Sequence, residues 1–244
     1  MQNSMIFRQC SVGGKVYRGD PELSAHKRSS EDTNRSDYVG LTDNGVQAEA
    51  YPLQSSVVKL STGALMPFRD GTLAKDLADA FSADRKAEST HHARNLNGFF
   101  SVLALCHTVL AHADPATGTI KYKAQSPDEA ALVQAAADVG FVFLGRDRGT
   151  LRLQTPFSET VEKYELLNIL EFTSARKRMS VVLKKLNTED GRLFLLTKGA
   201  DNVIFERLNA GSDDLKETTE KHLDEFANNG LRTLTLAYKI IPGK

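Results

Sequence analysis

Lys163 Tyr164 Glu165 Leu166 Leu167 Asn168 Ile169 Leu170 Glu171 Phe172, then Met179 Ser180 Val181 Val182 Leu183 Lys184 Lys185 Leu186, then Leu193 Phe194 Leu195 Leu196 Thr197 Lys198: these three runs decide the fold. Each is rich in aliphatic residues, and short polar turns separate them. That is the pattern of strands paired antiparallel, because so short a joint cannot make the crossover that parallel pairing needs. Working outward, Phe141–Leu144 and Thr150–Leu153 read as earlier strands, Thr119–Ala124 as one further upstream, and Thr233–Ile241 as the last.

Helices fill the spaces between. Asp70 or Thr72 can cap a short helix through Phe81, with Leu73, Leu77 and Phe81 as one buried stripe. Leu96, Phe99, Leu103, Cys106 and Leu110 recur every three or four residues and predict a buried helix over Asn95–His112, stopped by Asp114 Pro115. Ser126 Pro127 Asp128 Glu129 opens another, to Val139. Asn202–Leu208 and Leu215–Asn228 follow, with Gly230 placed for a C-cap. Near the start, Met5–Gln9 and Lys15–Tyr17 flank Gly13 Gly14 and read as a hairpin, since paired glycines take positive φ cheaply. The expected fold class is α+β: an antiparallel sheet of about six or seven strands flanked by helices, in one domain over residues 1–244. Residues 18–45, polar and poor in large apolar side chains, read as a flexible insertion.

Composition removes several functions. With 41% hydrophobic and 25% charged residues, the chain can bury a core. Lys plus Arg equal Asp plus Glu at 31 each, so no global field favours nucleic acid or an anionic surface. Cys10 and Cys106 make neither a disulfide framework nor metal-ligand spacing, and suit a reducing compartment. The longest apolar run, Phe99–Ala111, is too short to span a bilayer, which takes about 20 residues. The first residues lack a signal peptide's pattern and read as the boundary of a piece of a longer chain. Walker, Rossmann and kinase motifs are absent. His91 His92 reads as a solvated loop pair with no role.

Four segments carry chemistry. Glu129 can close a capping box with Ser126, or serve a ligand. Phe172 Thr173 Ser174 Ala175 Arg176 Lys177 Arg178 sets an aromatic ring at a strand end beside three cations. A purine stacked on such a ring gains about 1 to 3 kcal/mol, and the cations suit phosphates; alternatively Phe172 is core and the turn merely solvated. Thr197 Lys198 Gly199 Ala200 Asp201 delivers a lysine and a small residue from a buried strand just before a helix. Gly230 Leu231 Arg232 Thr233 Leu234 puts a guanidinium at the start of a strand, where it can grip a phosphate or pair with an acid.

In this order, the segments Lys123–Val133, Glu171–Ser180, Lys198–Asp201 and Gly230–Leu234 resemble the nucleotide-binding domain of type-IV P-type ATPases, the phospholipid flippases. The likeness covers nearly the whole chain; Gln2–Met5 is similar to the sequence that follows that family's phosphorylated-aspartate motif. It implies an ATP site in which Phe172 stacks on adenine, Glu129 meets its amino group, Lys198 and Gly199 line the base pocket, and Arg232 reaches toward the phosphates. Ser174 and Leu234 are implied neighbours, with Arg176 and Lys177 on the phosphate side. It implies no catalytic residue and no metal ligand in this segment: Mg2+ comes with the nucleotide, and the accepting aspartate lies in a separate phosphorylation domain. Implied partners are the phosphorylation and actuator domains and a non-catalytic membrane subunit, on the cytosolic face of a membrane, with no nucleic acid and the isolated domain a monomer. The other reading is an interaction module recruiting a regulatory partner through residues 18–45. A free-standing phosphatase fails for want of its nucleophile motif.

Overall fold

A computed structural model describes residues 5–20, 59–60, 67–82, 87–116, 119–186 and 191–241. The polar stretch lies beyond these from residue 21 onward. Its first residues are held: Asp70 accepts from the Arg18 and Gly19 amides at 3.0 and 3.1 Å, and Asp20 N–H donates to Arg69 O at 2.6 Å.

Six strands form the main sheet: β6 (Val142–Asp147), β7 (Thr150–Gln154), β8 (Glu162–Leu170), β9 (Arg178–Lys185), β10 (Leu193–Gly199) and β11 (Thr235–Ile241). Their order is β11-β10-β9-β8-β7-β6, with every pair antiparallel. This is the α+β architecture expected. Alternation does the sorting: Val181 and Leu183 on β9 are fully buried, as is Leu153 on β7, and they meet the covering helices.

Those helices are α1 (Gly71–Ser82), α2 (Ala87–Leu105) and α3 (Pro127–Asp138), with the short α4 (Asp201–Phe205) and α5 (Asp213–Asn228) later in the chain. Leu96, Phe100 and Leu103 of α2 are buried, and Phe100 stacks on Phe141 at 5.4 Å. Ala135, Ala136 and Ala137 of α3 are buried, and such small side chains let the helix lie close to its neighbours. Two smaller sheets complete the fold. Cys10–Val12 (β1) pairs with Lys15–Tyr17 (β2), and Thr119–Lys123 (β5) lies between Leu110–Ala113 (β4) and a parallel Lys59–Leu60 (β3).

Several expectations are corrected. The hairpin turns at Gly13 Gly14 as read, but its first arm is Cys10–Val12, not Met5–Gln9. Phe81 is exposed, because the stripe of α1 is already satisfied by Leu73 and Leu77. The helix read to His112 stops at Leu105. Its end is made by His107, whose Nε2–H donates to Ala104 O at 2.8 Å while its Nδ1 accepts from Val109 N–H at 3.0 Å. The imidazole caps the helix and turns the chain, so Leu110 falls on a strand and is exposed. His91 and His92 lie within α2, not in a loop.

His92 in fact joins a polar knot. Tyr17, with no exposed surface, donates its hydroxyl to Asp76 at 2.6 Å; Lys15 pairs with the same carboxylate, and His92 Nε2 lies 2.9 Å from the Tyr17 hydroxyl. Burial pushes the Asp76 carboxyl up, but the Lys15 and Tyr17 hydrogen bonds outweigh it and hold the group below its ordinary value. A carboxyl so depressed stabilises the fold above its unfolded-state value, and the contribution is lost as pH falls through the folded value. Asp76→Asn should therefore cost about 1 to 3 kcal/mol in urea unfolding at neutral pH. The gap from wild type should close on acidification.

Candidate nucleotide site

Register brings the four segments to one end of the main sheet. Lys198 and Gly199 close β10, opposite Met179 and Arg178 on β9 and opposite Leu236 and Thr235 on β11. The β8–β9 turn, from Glu171 to Lys177, therefore abuts the end of β10, and Leu234 abuts it from the other side. The first turn of α3 closes over the same end, because Lys198 Nζ donates to Glu129 Oε1 at 2.8 Å.

That ion pair is only 10% and 15% exposed, so it is screened far less than a surface pair. Glu129 is further held by Thr108, whose hydroxyl and amide donate to Oε2 at 2.7 and 3.2 Å. Burial acts to raise the Glu129 carboxyl; the Lys198 charge and hydrogen bond, with those from Thr108, outweigh it and hold the group below its ordinary value. The capping box is thus not formed: Ser126 makes no side-chain cap bond, and Glu129 is turned into the site instead. Beside the pair, burial pushes the Cys106 thiol up to about 12, leaving it protonated.

Phe172 is not core. β8 ends at Leu170, and the Phe172 side chain is 61% exposed. The turn holding it is self-supporting: Lys177 N–H donates to Thr173 O at 2.8 Å, Arg176 N–H to Thr173 Oγ1 at 3.2 Å, and the Arg176 guanidinium to Glu171 O at 2.8 Å. Lys177 adopts a left-handed φ of 49°, which points its carbonyl at Ala200 N–H, 3.0 Å away. Gly199 is what permits this approach. A Cβ there would lie 2.6 Å from Lys177 O and 2.6 Å from Arg178 Cβ. Ser174 and Lys177 are exposed on the turn, and Arg176 is half-buried.

Arg232 leans the other way. Its guanidinium, 75% exposed, pairs with Asp128 at 2.9 Å, tying the Gly230–Leu234 segment to α3 through a contact of modest strength. That segment is aimed by the end of α5. Gly230, at φ 73°, donates to Ala227 O at 2.9 Å, and Leu231 N–H to Phe226 O at 3.0 Å, a Schellman pattern. Leu234, 40% exposed, follows.

The structure thus joins Glu129 to Lys198 directly, and sets the Phe172 turn, Gly199 and Leu234 around that sheet end. Arg176 and Arg232 are occupied by a backbone carbonyl and a carboxylate. Thr108, Asp128 and Arg178 are additions. Arg178 is held below its ordinary value by desolvation and by the charges of Arg207 and Arg176, which outweigh the opposing pull of Glu206. Thr108 could not be found while its residue sat inside a supposed helix. Asp128 could have been, as the acidic neighbour of Glu129 in the first turn of α3.

Comparison with known proteins agrees in kind. Residues 95–244 match the family described as P-type ATPase, cytoplasmic domain N. The chain is 39% identical over 97% of its length to "Probable phospholipid-transporting ATPase 11" of Arabidopsis thaliana, and 37% identical over 98% to "Phospholipid-transporting ATPase IC" of Xenopus tropicalis. It is 34% identical over 99% to "Phospholipid-transporting ATPase C887.12" of Schizosaccharomyces pombe. It spans 18%, 16% and 16% of those proteins. These relatives are alike along nearly all of the chain, and with the family matched over more than half of its residues the chain belongs to the cytoplasmic N domains of P-type ATPases.

Proposed function

We infer that this domain binds ATP at the β10 end and holds it for phosphoryl transfer to an aspartate in a separate phosphorylation domain of a phospholipid-translocating ATPase. The observation that carries the reading is the exposed Phe172 ring on a braced turn, at the same sheet end as the largely buried Lys198–Glu129 pair. A purine needs an apolar platform and a few aimed polar groups, and both are present. Phe172 stacks on the base, and Glu129 accepts from its amino group. Lys198 and Gly199 form the wall, with Leu234 and Ser174 at its edge. Arg232, Arg176 and Lys177 lie toward the phosphates, Arg232 leaving Asp128 to do so.

Among the described residues no three of His, Cys, Asp or Glu come together to hold a metal ion. By family likeness, magnesium would ride on the nucleotide, where it neutralises phosphate charge. The domain contributes position: fixing the base end sets the line of approach of the γ-phosphate to its acceptor. Its immediate partners would be the phosphorylation and actuator domains, at the cytosolic face of the membrane. Among the described residues no helix is long and apolar enough to cross one.

One stacked base and one or two charged hydrogen bonds, less the cost of association, give a Kd for ATP on the order of 0.1 to 1 mM. Phe172→Ala should weaken it roughly tenfold or more, in line with the loss of one base stack. Amide shifts during an ATP titration measure both values, and shifts that bypass Phe172 and Lys198 would sink the reading. Gly199→Ala should cost about 1 to 3 kcal/mol by overpacking against backbone, and weaken ATP binding by displacing the turn. Thermal unfolding and the same titration check this pair of effects.

The ion pair sets a pH window. The Glu129 carboxyl, depressed in the folded state, stabilises the domain above its unfolded-state value and ceases to as pH falls through the folded one. In Lys198→Met, burial is no longer opposed by the ammonium, so the carboxyl should titrate above the wild-type value. Carbon-detected NMR of Glu129 reads the change directly.

A further inference from the structure

Under the turn that joins α2 to β4 lies a cavity of about 210 Å³, lined in part by Thr108 but by neither Phe172 nor Lys198. Two strand irregularities build it. In a regular strand, residues three apart face opposite sides. Phe143 and Arg146 on β6 nonetheless line the same cavity, as do Leu166 and Ile169 on β8. In both strands the pairing register shifts between them, at Phe143/Gly145 and at Leu166/Asn168. One extra residue supplies the missing half-period and turns both side chains inward.

The walls are apolar. His107 lines the cavity too, yet both its ring nitrogens are taken by backbone partners, and its ring meets Phe143 edge-on at 4.7 Å. Burial pushes that imidazole down to about 4, so it is a neutral aromatic wall. Charge enters at one point. Arg146 is exposed at the rim, beside the exposed Leu110, and has no acidic partner among the described residues. An apolar cavity of about 150 Å³ suffices for a benzene ring.

We propose that this cavity is a second ligand site, separate from the nucleotide site, for a small aromatic monoanion whose ring lies against Phe143 and Ile169 and whose carboxylate meets Arg146. Thr108 connects it to the sheet end, since that residue lines the cavity and holds Glu129 through two hydrogen bonds. Occupancy is felt at Glu129.

The probe is 4-methylbenzoate, with 4-methylbenzamide as its uncharged counterpart, titrated into the wild-type chain without nucleotide. Saturable amide shifts at Phe143, Ile169 and Val181 are expected, with a Kd on the order of 1 mM for a ligand of this size. Arg146→Gln, at an exposed position that leaves the fold intact, should weaken the acid about tenfold, the effect of one charge-assisted hydrogen bond, and leave the amide unchanged. Ile169→Phe should fill the space and abolish the shifts. At saturation the Glu129 carboxyl titration should move, and ATP should still bind to give a ternary complex. Shifts that never saturate, an acid indifferent to Arg146→Gln, an unmoved Glu129, or one-for-one displacement by ATP would each overturn the proposal. If ATP alone fails to bind, the nucleotide reading falls, whereas the titration without nucleotide still decides this one.

Discussion

The structure turns on a single ion pair shielded from water, Lys198 to Glu129. Lys198 is fixed because β10 is paired on both sides, with Met179 across from it on β9 and Leu236 on β11. Glu129 is fixed because it opens α3, whose alanines lie in the core. The pair therefore fastens the helical layer to the sheet at one place. Removing either partner would leave the other charge largely buried and unanswered, a situation that costs several kcal/mol in folded proteins, so the contact constrains geometry more than it adds stability.

From that fixed point the rest of the sheet end follows. Thr108 reaches Glu129 only because His107 ends α2 early, and Arg232 reaches Asp128 only because Gly230 redirects the chain after α5. Each depends on a short-range device acting on a long-range contact. The polar groups around the pair come from segments as far apart as residues 108 and 232, which is why no contiguous motif describes the site.

How much of this could be read from the residues depended on the range of the interaction. The main sheet was legible because β8, β9 and β10 carry long aliphatic runs with short joints, and antiparallel pairing follows from the joint length. The end of α2 was not. Its apolar spacing continues through Leu110, and only the imidazole of His107, bonding backward to Ala104 and forward to Val109, breaks the period. That Glu129 faces the end of β10 beside Lys198 was expected only through family resemblance. By local rules it belongs to Ser126, and what overrides them is a lysine 69 positions away. The bulge in β6 left one signal, Gly145 within the strand at a φ of 114°, whereas the bulge in β8 left none, since Leu167 looks like an ordinary strand residue.

The contact at Gly199 bears on motion. Lys177 O, Ala200 N–H and the backbone of Arg178 leave no slack between the β8–β9 turn and the end of β10, so the aromatic platform cannot swing as a lid. On the nucleotide reading proposed above, any travel toward the acceptor would carry the turn and the end of β10 together. The hinge for that stroke would then lie away from this sheet end.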